Sequence, residues 1–376
     1  MPHLNYFINF YLRRDLEKGY IPKGPKYFRN IWEMTAVNAN NFSAWEVKES
    51  DFPVDGTTED KLRFLLRYAI LAPSGPNSQP WKFAVNTNTI SIYADLKRSL
   101  PFVDPSNRTL FMSVGCAIAN LMVAGEHFCL RPSVVFFPKG QESDLVAEVK
   151  LERAGHPKGD LFPQITRRQT TKDRFLDRKI DESILEDIRA CIDEPGFHLQ
   201  YMGSVGEKSA IADLVARAHH IQLSNKHFRS NLSGWLRNNW TTEPDGMPLY
   251  TFGVPDAISL GFPAAFKEFD LSEAVIHRDS GLIKGCSMLG VLSSDGDDKL
   301  AWTRCGRLLE NYLLRAMSYD VRASFFSQPI GLPELREELL GMINRGNPQI
   351  LFGLGYSIPV KHTPRRALED VLIDQV

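Results

Sequence analysis

The sequence predicts an α+β fold made of two related halves, packed about a pseudo-two-fold axis as an intramolecular dimer. Two observations lead there. From residue 57 onward, stretches with helical apolar spacing alternate with short strand-like runs. In addition, GCAIANLMVAGEHFCLRPSVVFF (115–137) laid without gaps over GRLLENYLLRAMSYDVRASFFSQ (306–328) pairs Gly115 with Gly306, Asn120 with Asn311, Arg131 with Arg322 and Ser133 with Ser324. In both copies an apolar helix that opens on glycine leads through a short link into an apolar strand, the pattern of an internal duplication. Two such halves pack as identical subunits do in a symmetric dimer.

Each element has a local reason. TTEDKLRFLLRYAILA (57–72) opens on a Thr cap with acids in its first turn and sets Leu62, Leu65, Leu66 and Ala69 on one face, which predicts a helix. Pro73 stops it, and PSGPNSQP is a loop. WKFAV (81–85) and TISIYA (89–94) read as hairpin strands. A long apolar helix follows over about 109–129, then strands at 133–138 and 147–153. The second half reads as a helix at 182–192, a strand at 197–202 and a helix at 205–225, with a further helical segment towards Trp240. Residues 242–263, rich in Gly and Pro, form a long structured loop, followed by a helix at about 299–319, the run VRASFF, a helix near 333–343 and a strand at 348–356. The expected division is an N-terminal arm (1–56), a first half (57–160) and a second half (161–376).

Composition sets outer bounds. A chain of 376 residues with 43% hydrophobic and 24% charged residues can bury a substantial core. A formal net charge of -1, with no basic stripe, gives no reason to expect nucleic acid or an anionic membrane as partner. Five cysteines without a C-x-x-C pair fit neither a disulfide framework nor a zinc site, and the expectation is no metal and a reducing compartment. The longest apolar run, 114–125, falls short of the ~18 residues that span a bilayer, and the N-terminus lacks a secretory leader pattern. Cytoplasm is the expected location.

Two polar constellations stand out. In LAPSGPNSQPW (71–81), Ser74, Asn77 and Gln79 offer amide and hydroxyl groups suited to the edge of a flat heterocycle such as a flavin pyrimidine, while the same residues would also serve a plain helix-to-strand turn. RRQTTKDRF (167–175) gathers four cations and two threonines, which suits a phosphate and equally a solvated linker. A third basic turn, KHTPRRALEDVL (361–372), lies far away in sequence. His219 and His220 tempt a metal reading, but adjacent positions on a helix point about 100° apart.

Together these strings resemble the nitroreductase family of FMN flavoproteins. LAPSGPNSQPWKF is similar to its Pro-Ser-x-x-Asn-x-Gln-Pro-Trp signature, RRQTTKDRF to its basic motif, and NPQILFGLGYSIPVKHTPRRALEDVL to its closing strand and tail. The basic motif sits mid-chain rather than at the start, which resembles a fused two-repeat branch in which one chain imitates the usual homodimer and is itself a monomer. The resemblance implies one FMN, held by Arg168, Thr170, Lys172 and Arg365 at its phosphate and ribityl end. It implies Ser74, Gly75 and Asn77 from the other half towards the ring, and the backbone of Gly331 near flavin N5. Gly331 stands where many members carry Glu, and Thr363 replaces a common Lys, leaving one fewer phosphate cation unless Arg366 or Lys361 compensates.

The activity the resemblance implies is reduction of a small nitroaromatic, quinone or related acceptor by hydride transfer from NADPH or NADH through FMN. The flavin carries the chemistry and no protein nucleophile is needed. The alternative is a protein that sequesters flavin under a lid, for which 242–263 is long enough.

Overall fold

The computed structural model describes residues 40–157 and 159–374. The expected N-terminal arm therefore falls, for residues 1–39, outside the described residues.

The first half is built in the order α1 (Thr58–Ala69), β1 (Trp81–Asn86), β2 (Thr89–Ala94), α2 (Arg108–His127), β3 (Leu130–Phe136) and β4 (Leu145–Arg153). Thr57 and Asp60 form a capping box that starts α1 where the sequence places it. The four strands make one antiparallel sheet in the order β1-β2-β4-β3.

The second half repeats this plan with α3 (Glu182–Arg189), β5 (Phe197–Met202), β6 (Met288–Ser294), α8 (Lys299–Ser318), β7 (Val321–Phe325) and β8 (Asn347–Tyr356). Its sheet order, β5-β6-β8-β7, is the same arrangement. Arg108 and Lys299 open the long helices, His127 and Ser318 end them, and Leu130 and Val321 open the strands that follow. That single offset of 191 residues is the one the repeat implied.

Two insertions distinguish the halves. Where β1 and β2 join through Thr87 and Asn88, β5 and β6 are separated by α4 (Val205–Ser224), α5 (Lys226–Ser233), α6 (Phe262–Glu268) and α7 (Ser272–Gly285). A further helix, α9 (Pro333–Met342), stands between β7 and β8. The sequence reading passes over α7 and β6 entirely. It also takes 242–263 as loop, whereas the segment holds a short parallel ladder (Leu236–Arg237 with Met247–Pro248), a 3-10 turn (Leu249–Phe252) and one helical turn (Asp256–Ser259) before entering α6.

The core lies where α2 crosses α8. Gly115 and Gly306 make the crossing possible: a Cβ on Gly115 would overlap the carbonyl oxygen of Thr303, and one on Gly306 that of Met112. The expectation that no segment is long enough to span a bilayer needs correction at α2. Its 20 residues are long and apolar enough by length and composition, yet 78% of the relevant window is buried inside the fold. The apolar surface serves helix packing.

Two chain segments extend the sheets, and the first of them ties the halves together. Residues 368–373 add to the free edge of β1, with Phe83 N donating to Val371 O and Ile373 N to Phe83 O. Thr170 and Thr171 add to the free edge of β7, with Thr171 N donating to Ala323 O. The second pairing fixes the basic motif against the second sheet, and the ring of Phe175 fills the space a side chain at Gly355 would need.

Candidate functional site

The loop after α1 is held in an unusual backbone. Asn77 and Gln79 both have positive φ, +55° and +49°. Asn tolerates that region, while for Gln it costs on the order of 1 kcal/mol and persists only when neighbours fix it. Neighbours do so here: Ser74 Oγ accepts from Gln79 N at 2.9 Å, Gln79 Oε1 accepts from Arg366 N at 2.8 Å, and Arg366 Nη1 donates to Gln79 O at 3.1 Å. Gly75 N donates to Ser113 Oγ, and Thr109 stands where a side chain at Gly75 would go, so the loop lies on the start of α2.

The C-terminal tail meets this loop. Arg365 Nη1 donates to Asn77 Oδ1 at 2.9 Å, and Nη2 donates to the carbonyls of Leu71 and Ala72. Residues 40–56 are the described part of the expected arm, and its first turn presses on the tail from outside. Trp45 donates to Thr363 O, stacks on His362 at 3.9 Å between ring centroids, and lies under the Arg365 guanidinium.

Arg168 joins them from the basic motif. It is buried, and its Nε lies 3.1 Å from Oε1 of Glu310, a fully buried residue of α8. The pair is out of line for a hydrogen bond, so Arg168 Nε and both Glu310 oxygens lack an aligned partner, as does Arg365 Nε. Thr170 Oγ1 accepts only a long 3.4 Å contact from Arg168. Arg168 and Arg365 each bear electrostatically on Glu310 and on one another. Burial pushes the Glu310 carboxyl up to about 7 in spite of both cations. Burial, with Arg168 adding to it, brings Arg365 down to about 9, still charged at neutral pH. His362 falls to about 4 through burial and both arginines, so it is neutral.

The structure thus brings Ser74, Gly75, Asn77, Arg168, Thr170 and Arg365 into one neighbourhood drawn from both halves. Lys172 sits further along the same segment. It is half-buried, 4.9 Å from the Phe252 ring, and burial with nearby Arg278 lowers its ammonium to about 8. Arg278 covers Phe252 at 5.0 Å and pairs with Asp279, which also binds His219 at 2.8 Å. Gly331, itself exposed, closes a 3-10 turn (Gln328–Gly331) whose Pro329 and Ile330 are buried, near Gln222 and the Val103 carbonyl. Neither expected substitute for the missing lysine reaches the arginines: Lys361 lies over Phe42 and Tyr250, and Arg366 serves Gln79 and Asp370.

Residues 241–252 form a strap over this neighbourhood. Asn41 Nδ2 donates to the carbonyls of Thr241 and Glu243, Gln79 Nε2 to Pro244 O and Asn77 Nδ2 to Gly246 O, while Gly246 N returns a bond to Asn77 O. Asp245 pairs with Arg98 and, at 2.7 Å, with Arg237. Tyr250 Oη donates to His362 O at 2.6 Å. Asn77 therefore commits its whole amide to strap and tail: Oδ1 to Arg365, Nδ2 to Gly246 and Pro364.

The donor set fits the phosphate end of a flavin mononucleotide. Buried Arg168 lies against the Glu310 carboxylate, Arg365 bears on it electrostatically, and both guanidiniums keep an unaligned Nε, for which a phosphate monoester supplies acceptors. Among the described residues, no group of three or more His, Cys, Asp or Glu is arranged to hold a metal.

A Mycobacterium tuberculosis H37Rv protein named "Putative NAD(P)H nitroreductase" is 23% identical over 332 residues, covering 83% of this chain and 91% of its own length. Over most of its length, this chain is a relative of that nitroreductase-named protein. A second relative from the same strain, an "Uncharacterized protein", is 26% identical over 340 residues, covering 82% of this chain and 92% of its own length. The crystal structure of a nitroreductase with bound FMN from Desulfitobacterium hafniense DCB-2 aligns with 58% of this chain and 100% of its own, at 13% identity and a TM-score of 0.36. No protein-family model matches.

Glu310, the strap latch Asp245 and the tail residue His362 escape the sequence reading. For Glu310 a signal was available: in GRLLENYLLRA a carboxylate lies among Leu308, Leu309, Tyr312 and Leu313, where a surface acid is out of place.

Proposed function

We propose that this chain is an FMN-dependent oxidoreductase that uses NADPH or NADH to reduce a small acceptor such as a nitroaromatic or quinone. The observation that carries the reading is the buried Arg168–Glu310–Arg365 cluster of the second half, set beside the Asn77 loop of the first. The relatives' names support the activity class.

In this reading Arg168 and Arg365 grip the phosphate by charge-assisted bonds, Thr170 adds a hydroxyl, and Lys172 supplies a further cation along the segment towards α7. Ser74, Gly75 and Asn77 form the first-half loop that faces the ring, with the Asn77 side chain holding strap and tail and not ring atoms, and Gly331 offers a backbone amide without a side-chain function. When bound, FMN supplies two-electron hydride chemistry. The chain's part is to anchor, orient and cover it, with the strap 241–252 excluding water. The halves are taken as 57–160 and 161–376, supported by their common strand order, and the fused arrangement favours a monomer. The five cysteines are free, in keeping with a cytoplasmic setting.

One observation favours a second reading, flavin sequestration with little turnover: the strap is bonded to the Asn77 loop at both Pro244 and Gly246. The absorption spectrum of the purified protein, with release of the chromophore on denaturation, tests flavin binding. NADPH oxidation with added menadione or nitrofurazone separates the readings, since only an oxidoreductase turns over. A colourless protein that takes up no added FMN overturns both.

A further inference from the structure

Glu310 belongs to the cluster but has no role of its own in the reading above, yet it is the most deeply buried charge in the site. It stands on α8 with no measurable exposure, 3.1 Å from Arg168 Nε, and neither oxygen has an aligned hydrogen-bond donor. A carboxylate placed so is costly to keep, because burial strips its water and the usual compensation is two or more hydrogen bonds. A purely structural counter-ion would be held by an aligned fork.

The charge count explains the placement. Arg168 and Arg365 against Glu310 leave the cluster at a net positive charge, which a phosphate dianion would over-neutralise while drawing the Arg168 fork to itself. One proton on Glu310 restores balance. We propose, resting on the phosphate-anchor reading above, that Glu310 is an exchangeable counter-ion: it pairs with Arg168 while the anchor is empty and takes up one proton from solvent when a phosphate monoester occupies it. Glu310 is thus a positioning residue that couples ligand capture to protonation.

The surrounding groups leave a clear window for the test. Facing Glu310 and its two arginines are Cys116 from α2, His362 from the tail and Tyr250 from the strap. Burial holds the Cys116 thiol and the Tyr250 phenol far above neutrality, and His362 is down at about 4. The Glu310 carboxyl itself stands at about 7 without ligand. Between pH 7 and 8 Glu310 is the group of this cluster that changes charge. The phosphate's own second ionisation lies lower, near 6. Lys172, at about 8, loses a comparable share of its charge over the same unit, so the measurements are repeated in a Lys172→Arg background, whose cation does not titrate there.

The experiment measures FMN and riboflavin affinity on the full chain freed of flavin, at pH 7 and pH 8, for wild type and Glu310→Gln. With proton uptake, the wild-type Kd for FMN rises about fivefold over that unit, as linkage to a group of pKa about 7 requires. Riboflavin, having no phosphate, shows no such rise. Glu310→Gln binds FMN with little pH dependence and more tightly than wild type at pH 8. Should Glu310→Gln fail to fold, calorimetry of FMN binding to wild type at pH 7.5, in buffers of different ionisation enthalpy, reads the proton directly, with about 0.5–0.8 expected per FMN. A protein that binds FMN more tightly than riboflavin but shows neither slope nor proton uptake overturns this role of Glu310, as does a slope that survives in Glu310→Gln. Equal affinity for FMN and riboflavin, or none for FMN, overturns the phosphate anchor itself.

Discussion

Gly115 on α2 and Gly306 on α8 each lie against the backbone of the other's helix, and the two halves of the chain meet through that contact. The helices approach too closely for any side chain at either position. Gly306→Ala should therefore lower stability by about 2–3 kcal/mol, because the clash is with the Met112 carbonyl rather than with a movable side chain. Gly281→Ala, in the open on α7, should instead raise stability by about 0.5–1 kcal/mol. Thermal denaturation of the pair decides the point, and equal effects would remove the helix crossing from its central position.

Arg168→Ala should weaken FMN binding about ten- to a hundredfold, since a charge-assisted phosphate contact contributes roughly 1.5–3 kcal/mol. Riboflavin should be affected far less. Fluorescence titration with both ligands makes the comparison, and equal losses would mean that Arg168 acts through folding.

Saturation should come at about one FMN per chain. The strap and its supporting helices lie between β5 and β6, while the corresponding β1–β2 connection is a tight hairpin. The first half also supplies the sole Asn loop of the type at 71–81. Two equivalents in a spectroscopic titration would contradict this asymmetry.

Asp245→Ala should loosen the strap, because Asp245 pairs with both Arg98 and Arg237 at partly buried positions. Amide exchange across 241–252 should accelerate about tenfold, the equivalent of roughly 1.4 kcal/mol in opening free energy, and bound flavin should exchange faster. Unchanged exchange would show that the bonds from Asn77 and Gln79 hold the strap without the ion pairs.

His362 gives a pH signature of opposite sign to Glu310. Its ring is held neutral, with protonation deferred to about 4, so its contribution to stability is complete above pH 6.5 and declines as pH falls towards 4. The Glu310 carboxyl, raised to about 7, is easier to protonate in the folded chain, so its contribution grows as pH falls through 7. The two partly cancel in wild type. His362→Gln should therefore become relatively more stable by about 1 kcal/mol between pH 7 and 5, a figure that allows for water screening a partly exposed ring. Parallel denaturation curves at both pH values would remove His362 from the account.

What the sequence by itself determined follows from local periodicity and caps. Thr57 and Asp60 start α1, Phe197–Met202 is a strand as read, and the Gly115/Gly306 alignment carries the offset that relates the two long helices. Such signals lie within a few residues of one another. The missed elements lack them: α7 mixes Ser, Asp, Lys and Gly with its apolar residues and shows no clean stripe, and the run MLGVLSS of β6 is short and buried on both faces. Only the tertiary structure decided which polar residues share a site. Asn77 and Arg365 are 288 positions apart and bond at 2.9 Å, and Glu310 becomes a counter-ion only because α8 turns it towards Arg168. Charge pairing depends on distance and burial, and neither is encoded until the two halves close on each other.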